Sequence, residues 1–268
     1  MDPSIQTLIF DLDDTLVVEE PSAIDAFDEV CRQAERHCGV DATRLYSAIR
    51  QESRALWQNS PARPYCVRLG ISSWEGLCSN FDGNDPNLRV LREWSPRYRV
   101  DSWRTALSKC GITDGNLAAL LAEAFYQRGR MNYLLYDDAA SCLDQLSRNH
   151  QLALLTNGTP DLQREKIAAT GIAKYFAEII ISSEVGYGKP EPQIFEILLS
   201  RLNVNASSTW MIGDSLERDI LGAKAVGIKT VWVNRHGMSG DKSIVPDIEV
   251  SNLKQLVGII TQLNPQIH

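Results

Sequence analysis

From Leu152 to Val233 the chain alternates short apolar runs with helix-like stretches, and this rhythm constrains the fold more than any other feature. Leu152-Ala153-Leu154-Leu155 is continuously apolar, as a strand buried on both faces must be. A helix then runs from Thr159-Pro160-Asp161 towards Ala169 and stops near Gly171, with proline at its start and glycine past its end. Glu178 to Ile181 reads as the next strand and Pro192 to Leu202 as the next helix. Trp210-Met211-Ile212 is a third strand, Leu216 to Val226 a helix closed by Gly227, and Lys229 to Val233 a fourth strand. Leu8-Ile9-Phe10 repeats the buried-strand signature near the N-terminus. Strands that alternate with helices predict an α/β fold: a parallel sheet with right-handed crossovers and helices on both faces.

The rhythm is interrupted once. Between the first strand and Leu152 the apolar residues recur at helical spacing, as in Ala26, Val30 and Ala34, then Leu45 and Ile49, then Leu117, Leu120 and Leu121. The simplest arrangement is an all-helical domain, residues 21–136, inserted into an α/β domain made of residues 1–20 and 137–268. Ser60 to Asp85, rich in Pro, Gly, Ser and Asn, is its least regular part. No internal repeat or low-complexity tract is present.

Bulk properties narrow the function classes. A net charge of -7 gives no overall attraction to nucleic acid or anionic membrane, though a few lysines suffice for a local anion pocket. No apolar run approaches the roughly 20 residues of a membrane-spanning helix. The first residues, MDPSIQTLIFDLDDT, are acidic where a signal peptide is basic, so the expected compartment is the cytoplasm. Six cysteines (Cys31, Cys38, Cys66, Cys78, Cys110, Cys142) form no C-x-x-C pair and no zinc-ligand spacing, which suits reduced thiols packed as small hydrophobes. Oligomeric state has no signature in the sequence.

Four segments carry candidate chemistry. Asp11-Leu12-Asp13-Asp14-Thr15 follows the first strand, where an open parallel sheet binds its ligands. Asp11 and Asp13 can point into one crevice there. A divalent cation would offset their repulsion, and the repulsion would raise the pKa of one, giving an ionised nucleophile beside a proton donor. The same residues also read as an acidic helix cap. Thr156-Asn157-Gly158 ends the second strand and suits an anionic oxygen, though taken alone it reads more simply as a strand-to-helix turn with an N-cap. Lys189, stiffened by Pro190 and Pro192, could neutralise a phosphate or simply face solvent. Gly213-Asp214 ends the third strand, and Asp219 lies one helical turn on, where it could orient Lys189 or a metal; acids also favour helix N-termini. Each segment is ambiguous alone. Together they put carboxylates, a hydroxyl and a lysine at successive strand ends on one sheet edge, the inventory of a magnesium phosphoryl-transfer site.

With those residues in place, the sequence resembles the haloacid dehalogenase-like (HAD) superfamily, whose motifs are D-x-D-x-T, a strand-ending Thr or Ser, a Lys, and G-D-x-x-x-x-D. Here they stand as Asp11 to Thr15, Thr156-Asn157-Gly158, Lys189-Pro190, and Gly213-Asp214 through Asp219. The resemblance covers the first strand and most of residues 137 to 250. It implies a Rossmann-like core, and the insert looks like the C1 cap of the subgroup containing phosphoglycolate phosphatases. It further implies a Mg²⁺-dependent phosphohydrolase acting on a small phosphorylated metabolite. In that reading Asp11 forms an aspartyl-phosphate, and Asp13 protonates the leaving alcohol and then activates water. Thr156, Asn157 and Lys189 form the phosphate site. Asp11, the backbone carbonyl of Asp13, and Asp214 bind the metal, with Asp219 in support.

Asp13 separates this chain from the dehalogenases of the family, which lack the second aspartate. Phosphonate hydrolases need a cap lysine, and Lys109 is the only lysine between Ser22 and Tyr136. Sugar-phosphate phosphomutases typically carry Gly where this chain has Asp14, a soft distinction that keeps them as the alternative, with a non-catalytic binding protein retaining the fold as a third reading. The insert also holds Trp57, Trp74, Trp94 and Trp103, with Arg63, Tyr65 and Arg68 in its irregular part. These residues fit a specificity surface or the packing of a helical domain.

Overall fold

A computed structural model describes residues 5–131 and 133–263. Strand β1 (Thr7–Phe10) is followed by six helices, α1 (Glu20–Cys38), α2 (Ala42–Trp57), α3 (Arg63–Leu69), α4 (Ser73–Cys78), α5 (Pro86–Lys109) and α6 (Gly115–Arg128). Then come α7 (Ala139–Leu146), β2 (Gln151–Thr156), α8 (Pro160–Thr170), β3 (Glu178–Ile181), the short α9 (Ser182–Val185) and α10 (Pro192–Leu202). After β4 (Thr209–Gly213), a π-helical turn over Leu216–Leu221 runs into α11 (Gly222–Ala225), and β5 (Lys229–Val233), β6 (Ile248–Val250) and α12 (Leu253–Leu263) complete the order.

The chain forms two compact units. One takes the chain up to Val18, Leu134–Asn157, and the chain from Lys166 on; the other takes Glu19–Tyr133 and Gly158–Glu165.

The first unit is the α/β, Rossmann-like one. Its six strands lie in the order β3-β2-β1-β4-β5-β6, every pair parallel. Leu8 and Phe10 point to one face, against Ala139 and Leu143 of α7 and Leu253 and Leu256 of α12. Ile9 points to the other, against Ile194, Phe195 and Leu198 of α10. Both faces are therefore dry, and this is why the strands read as unbroken apolar runs. The chain moves from β1 to β2 to β3 on one side and then returns to place β4 on the other. That reversal opens the crevice at the carboxyl ends of β1 and β4.

The second unit is helical, with no strand among its described residues. Its tryptophans serve packing: Trp57 and Trp103 are buried, Trp94 stacks on Tyr98 at 4.7 Å, and Trp57 lies 5.4 Å from Tyr98. The stretch expected to be irregular carries α3 and α4. Ser72 and Glu75 form a reciprocal capping box that starts α4, a signal in the sequence that the Pro and Gly content obscured.

Residues 158–165 belong to this helical unit although the sequence places them in the α/β domain. Their polar groups explain it. The Thr159 N–H donates to Glu75 Oε1 at 2.9 Å, and Asp161 accepts from the Ser79 hydroxyl (2.6 Å), the Asn80 N–H (2.7 Å) and Arg130 (2.9 Å). Arg130 also pairs with Glu165 at 2.7 Å, and Leu162 lies in the apolar core of the helical unit.

Candidate active site

Sequence and topology bring the four motifs to one edge of the sheet. Asp11 follows β1, and its N–H donates to the Ile212 carbonyl of β4 at 2.9 Å, so the ladder holds it one residue beyond the strand. The turn that follows is tight: the Leu16 and Val17 N–H groups both donate to the Leu12 carbonyl at 2.9 Å, and the Asp14 N–H donates to the Val17 carbonyl at 2.7 Å. Asp14 takes a left-handed backbone with φ of 56°, a conformation Asp tolerates better than most residues. Thr15 is no helix cap. Its buried hydroxyl lies between Asp11 Oδ2 (3.2 Å) and Asp214 Oδ1 (3.4 Å).

Lys189 is the electrostatic centre. Its ammonium donates to Asp11 Oδ1 at 2.5 Å and to Asp219 Oδ1 at 2.6 Å, and its side chain is only 2% exposed. Burial alone would lower its pKa, but the two carboxylates outweigh that and raise it above the ordinary lysine value. Burial pushes the Asp11 carboxyl up to about 7, against the pull of Lys189, with Asp219 and Asp13 adding to the rise. Burial also pushes Asp214 up to about 8, helped by the charges of Asp11, Asp219 and Asp14. This edge of the sheet holds more negative charge than one lysine neutralises.

The π-helical turn after β4 places Asp219. Its Oδ2 accepts the Ser215 N–H at 3.0 Å while Oδ1 accepts from Lys189. The approach is so close that a Cβ on Gly213 would strike the Asp219 carboxylate. Asp214 is steadied through its carbonyl, which accepts the Trp232 indole N–H at 2.7 Å.

Asn157 turns towards Lys189. Its Nδ2 donates to the Lys189 carbonyl and its Oδ1 accepts the Lys189 N–H, both at 2.8 Å. A side chain expected to face a phosphate thus engages the lysine backbone. Thr156, buried at the end of β2, donates its hydroxyl to the Asn157 carbonyl at 3.2 Å.

Two cations escaped the sequence reading. Lys166, on α8, donates to Asp13 Oδ1 at 2.6 Å. The signal was its position among Leu162, Gln163 and Ile167 on the buried side of the helix, where a lysine requires a partner. Arg235, just past β5, lies 3.8 Å over the Tyr136 ring, pairs with Asp138 at 3.0 Å and donates to the Thr15 carbonyl at 3.0 Å. Burial would raise the Asp138 pKa, yet Arg235 and the Leu253 N–H hold it below the usual carboxylate value. Nothing in the local sequence marks Arg235, because its partners lie 97 and more residues away.

Asp11, Asp214 and Asp219 each offer a carboxylate oxygen, all within 4.8 Å of one another. Hard oxygen donors in that number suit a small divalent cation. Asp219 serves Lys189 and the Ser215 N–H, and Asp11 serves Lys189 and the Thr15 hydroxyl, so a cation here would share Asp11 with Lys189 and meet Asp214 beside it. Their raised pKa values express the same surplus of negative charge. Arg63, Tyr65 and Arg68 lie on α3 in the helical unit, where Arg63 donates to Gln58 at 3.1 Å. No helix among the described residues is long and apolar enough to cross a membrane.

Residues 5–227 match the family model described as haloacid dehalogenase-like hydrolase. The chain is 35% identical over 253 residues to a phosphoserine phosphatase of Thermus thermophilus, covering 94% of this chain and 98% of the relative. It is 33% identical over 268 residues to a glyceraldehyde 3-phosphate phosphatase of Methanopyrus kandleri, covering 97% and 98%. In structure it is similar to the HAD-hydrolase YfnB of Bacillus subtilis, solved bound to magnesium, with a TM-score of 0.68 and 20% identity over 96% and 99% of the two chains. That likeness concerns the fold.

Proposed function

The chain belongs to the haloacid dehalogenase-like hydrolases, as a phosphatase of that family, and on that footing we propose that it hydrolyses small phosphorylated metabolites with Mg²⁺ through an aspartyl-phosphate on Asp11. The observation that carries this reading is the pairing of buried Asp11 with Lys189 at 2.5 Å, beside Asp214, at the carboxyl end of β1.

In this mechanism Asp11 attacks phosphorus while Asp13 gives a proton to the departing alcohol oxygen. Asp13, now a carboxylate, takes a proton from the water that attacks phosphorus and releases Asp11. Lys189 stabilises charge on the phosphoryl oxygens, and Thr156 offers its hydroxyl to them. Asn157 fixes the lysine backbone, and Asp219 keeps the ammonium aimed. Asp11, Asp214 and the Asp13 carbonyl would hold Mg²⁺, which when bound supplies positive charge against the carboxylates and the phosphoryl group. The names of two relatives, phosphoserine phosphatase and glyceraldehyde 3-phosphate phosphatase, support a small phosphate ester as the substrate. Six cysteines outside any disulfide are in keeping with action in a reducing cytoplasm.

The test is phosphate release from a generic phosphomonoester, first with Mg²⁺ and then with EDTA, for the natural chain and for Asp11→Asn. Turnover should require both the ion and Asp11. Activity surviving either loss would overturn the proposal, and an isomerised sugar phosphate with little free phosphate would point to a mutase.

A further inference from the structure

Buried lysines are rare because an ammonium loses its hydration, so a lysine on the inner face of a helix marks a specific partner. Lys166 is such a residue: it is 4% exposed, beside Ile167 at 3% and one turn after Leu162 at 2%. Its position along α8 is held by the helix itself and by Thr170, whose hydroxyl donates to the Lys166 carbonyl at 2.7 Å. Its partner is Asp13, at 2.6 Å, with the two side chains 5% and 19% exposed.

The backbone of Asp13 is also fixed. It sits inside the turn that Leu12, Asp14, Leu16 and Val17 close by hydrogen bonds, and it bridges to Val17. With the backbone pinned, the freedom left to this carboxylate lies in its side-chain torsions. Lys166 sets those torsions from α8.

We propose that Lys166 is the positioning residue for Asp13 in proton transfer, a role that rests on the phosphatase reading above. As the bond from phosphorus to the leaving oxygen breaks, the proton passes from the Asp13 carboxyl to that oxygen. In the second half the carboxylate takes a proton from water as the water oxygen bonds to phosphorus and the bond to Asp11 breaks. Lys166 forms and breaks no covalent bond. It holds one oxygen of Asp13 so that the carboxylate meets the leaving group at a fixed angle, and misplacing a proton donor forfeits part of the roughly 10²- to 10⁴-fold that general acid catalysis contributes.

The leaving group separates this role from a merely structural one. An alkoxide needs the proton, whereas p-nitrophenolate departs without it. The kcat/KM values report the steps through leaving-group departure. Lys166→Met should lower kcat/KM for an alkyl phosphate by about 10- to 100-fold, and leave p-nitrophenyl phosphate within about threefold. Lys166→Arg, which keeps charge and donor, should restore most of the loss. In an Asp13→Asn background, Lys166→Met should cost nothing further, because the carboxylate it positions is gone. Should Lys166→Met fail to fold by thermal melting, Lys166→Gln serves the same comparison. Equal loss on both esters, no recovery with arginine, or a further loss in the Asp13→Asn background overturns the assignment. Inactivity of the natural chain on both esters with Mg²⁺ instead overturns the phosphatase reading and this role with it.

Discussion

Asn157 and Lys189 exchange two hydrogen bonds of 2.8 Å, side-chain amide to backbone, so the residue that ends β2 fixes the residue that neutralises the site. An amide side chain carries its donor and its acceptor on separate atoms and so matches a peptide group donor for acceptor, which an ionised carboxylate, an acceptor only, cannot do. Asn157→Ala should strand both peptide groups of Lys189, at a cost of about 1–3 kcal/mol each at most. Urea unfolding should show the destabilisation, and kcat should fall more than KM changes, because the ammonium loses its aim rather than its charge.

Removing the ammonium is a harsher change. Lys189→Met would leave Asp11 and Asp219 buried together without a counter-charge, and breaking a buried pair in this way typically costs about 3–5 kcal/mol. The expected result is a large drop in the urea midpoint and no detectable turnover. Adding Asp219→Asn should recover part of the stability and none of the activity.

The two buried carboxyls of the site make stability depend on pH. Asp11 and Asp214 have ordinary values of 3.8 that rise to about 7 and about 8 in the fold. A raised carboxyl pKa means the folded chain binds more protons than the unfolded one between those values. Stability without metal should therefore fall as pH climbs from about 4 to about 8. A divalent ion takes the place of those protons, so Mg²⁺ should raise Tm more at pH 8 than at pH 5. Thermal melts in EDTA and in Mg²⁺ at the two pH values check it; an equal shift at both would contradict it.

Gly213 offers a purely steric probe. A methyl group there collides with the Asp219 carboxylate, which must swing away from Lys189 and from the Ser215 N–H. Gly213→Ala should lower kcat by about 10-fold or more, as displacement of a site group by about 1 Å does. The far-UV circular dichroism should be unchanged.

Much of this was legible because strands buried on both faces must be apolar throughout. Glu178–Ile181 and Lys229–Val233 end where their sequences say, and Asp11 and Asp214 could be placed at strand ends without coordinates. Beyond Val233 the strand signature fades: β6 has only three residues, too few for an apolar run, and α12 shows itself only through the helical spacing of Leu253, Leu256 and Ile260. Lys166 and Arg235 were missed for a different reason. A buried ion pair is a relation between distant residues, and neither half shows it alone. The partner of Asn157 was hidden in the same way, since an amide that faces a phosphate and one that faces a peptide look alike in sequence.

The placement of Gly158–Glu165 in the helical unit has a consequence for modular engineering. The polypeptide passes from one unit to the other four times, at Val18, Tyr133, Asn157 and Glu165, where a simple insertion would pass twice. Deleting residues 19–133 would strip Asp161, Leu162 and Glu165 of Asn80, Ser79, Arg130 and their apolar neighbours, and would expose them on a truncated core. A cap grafted from another member of the family would need its own version of those eight residues. The heritable module is thus split in two along the gene, and swapping it requires both pieces at once.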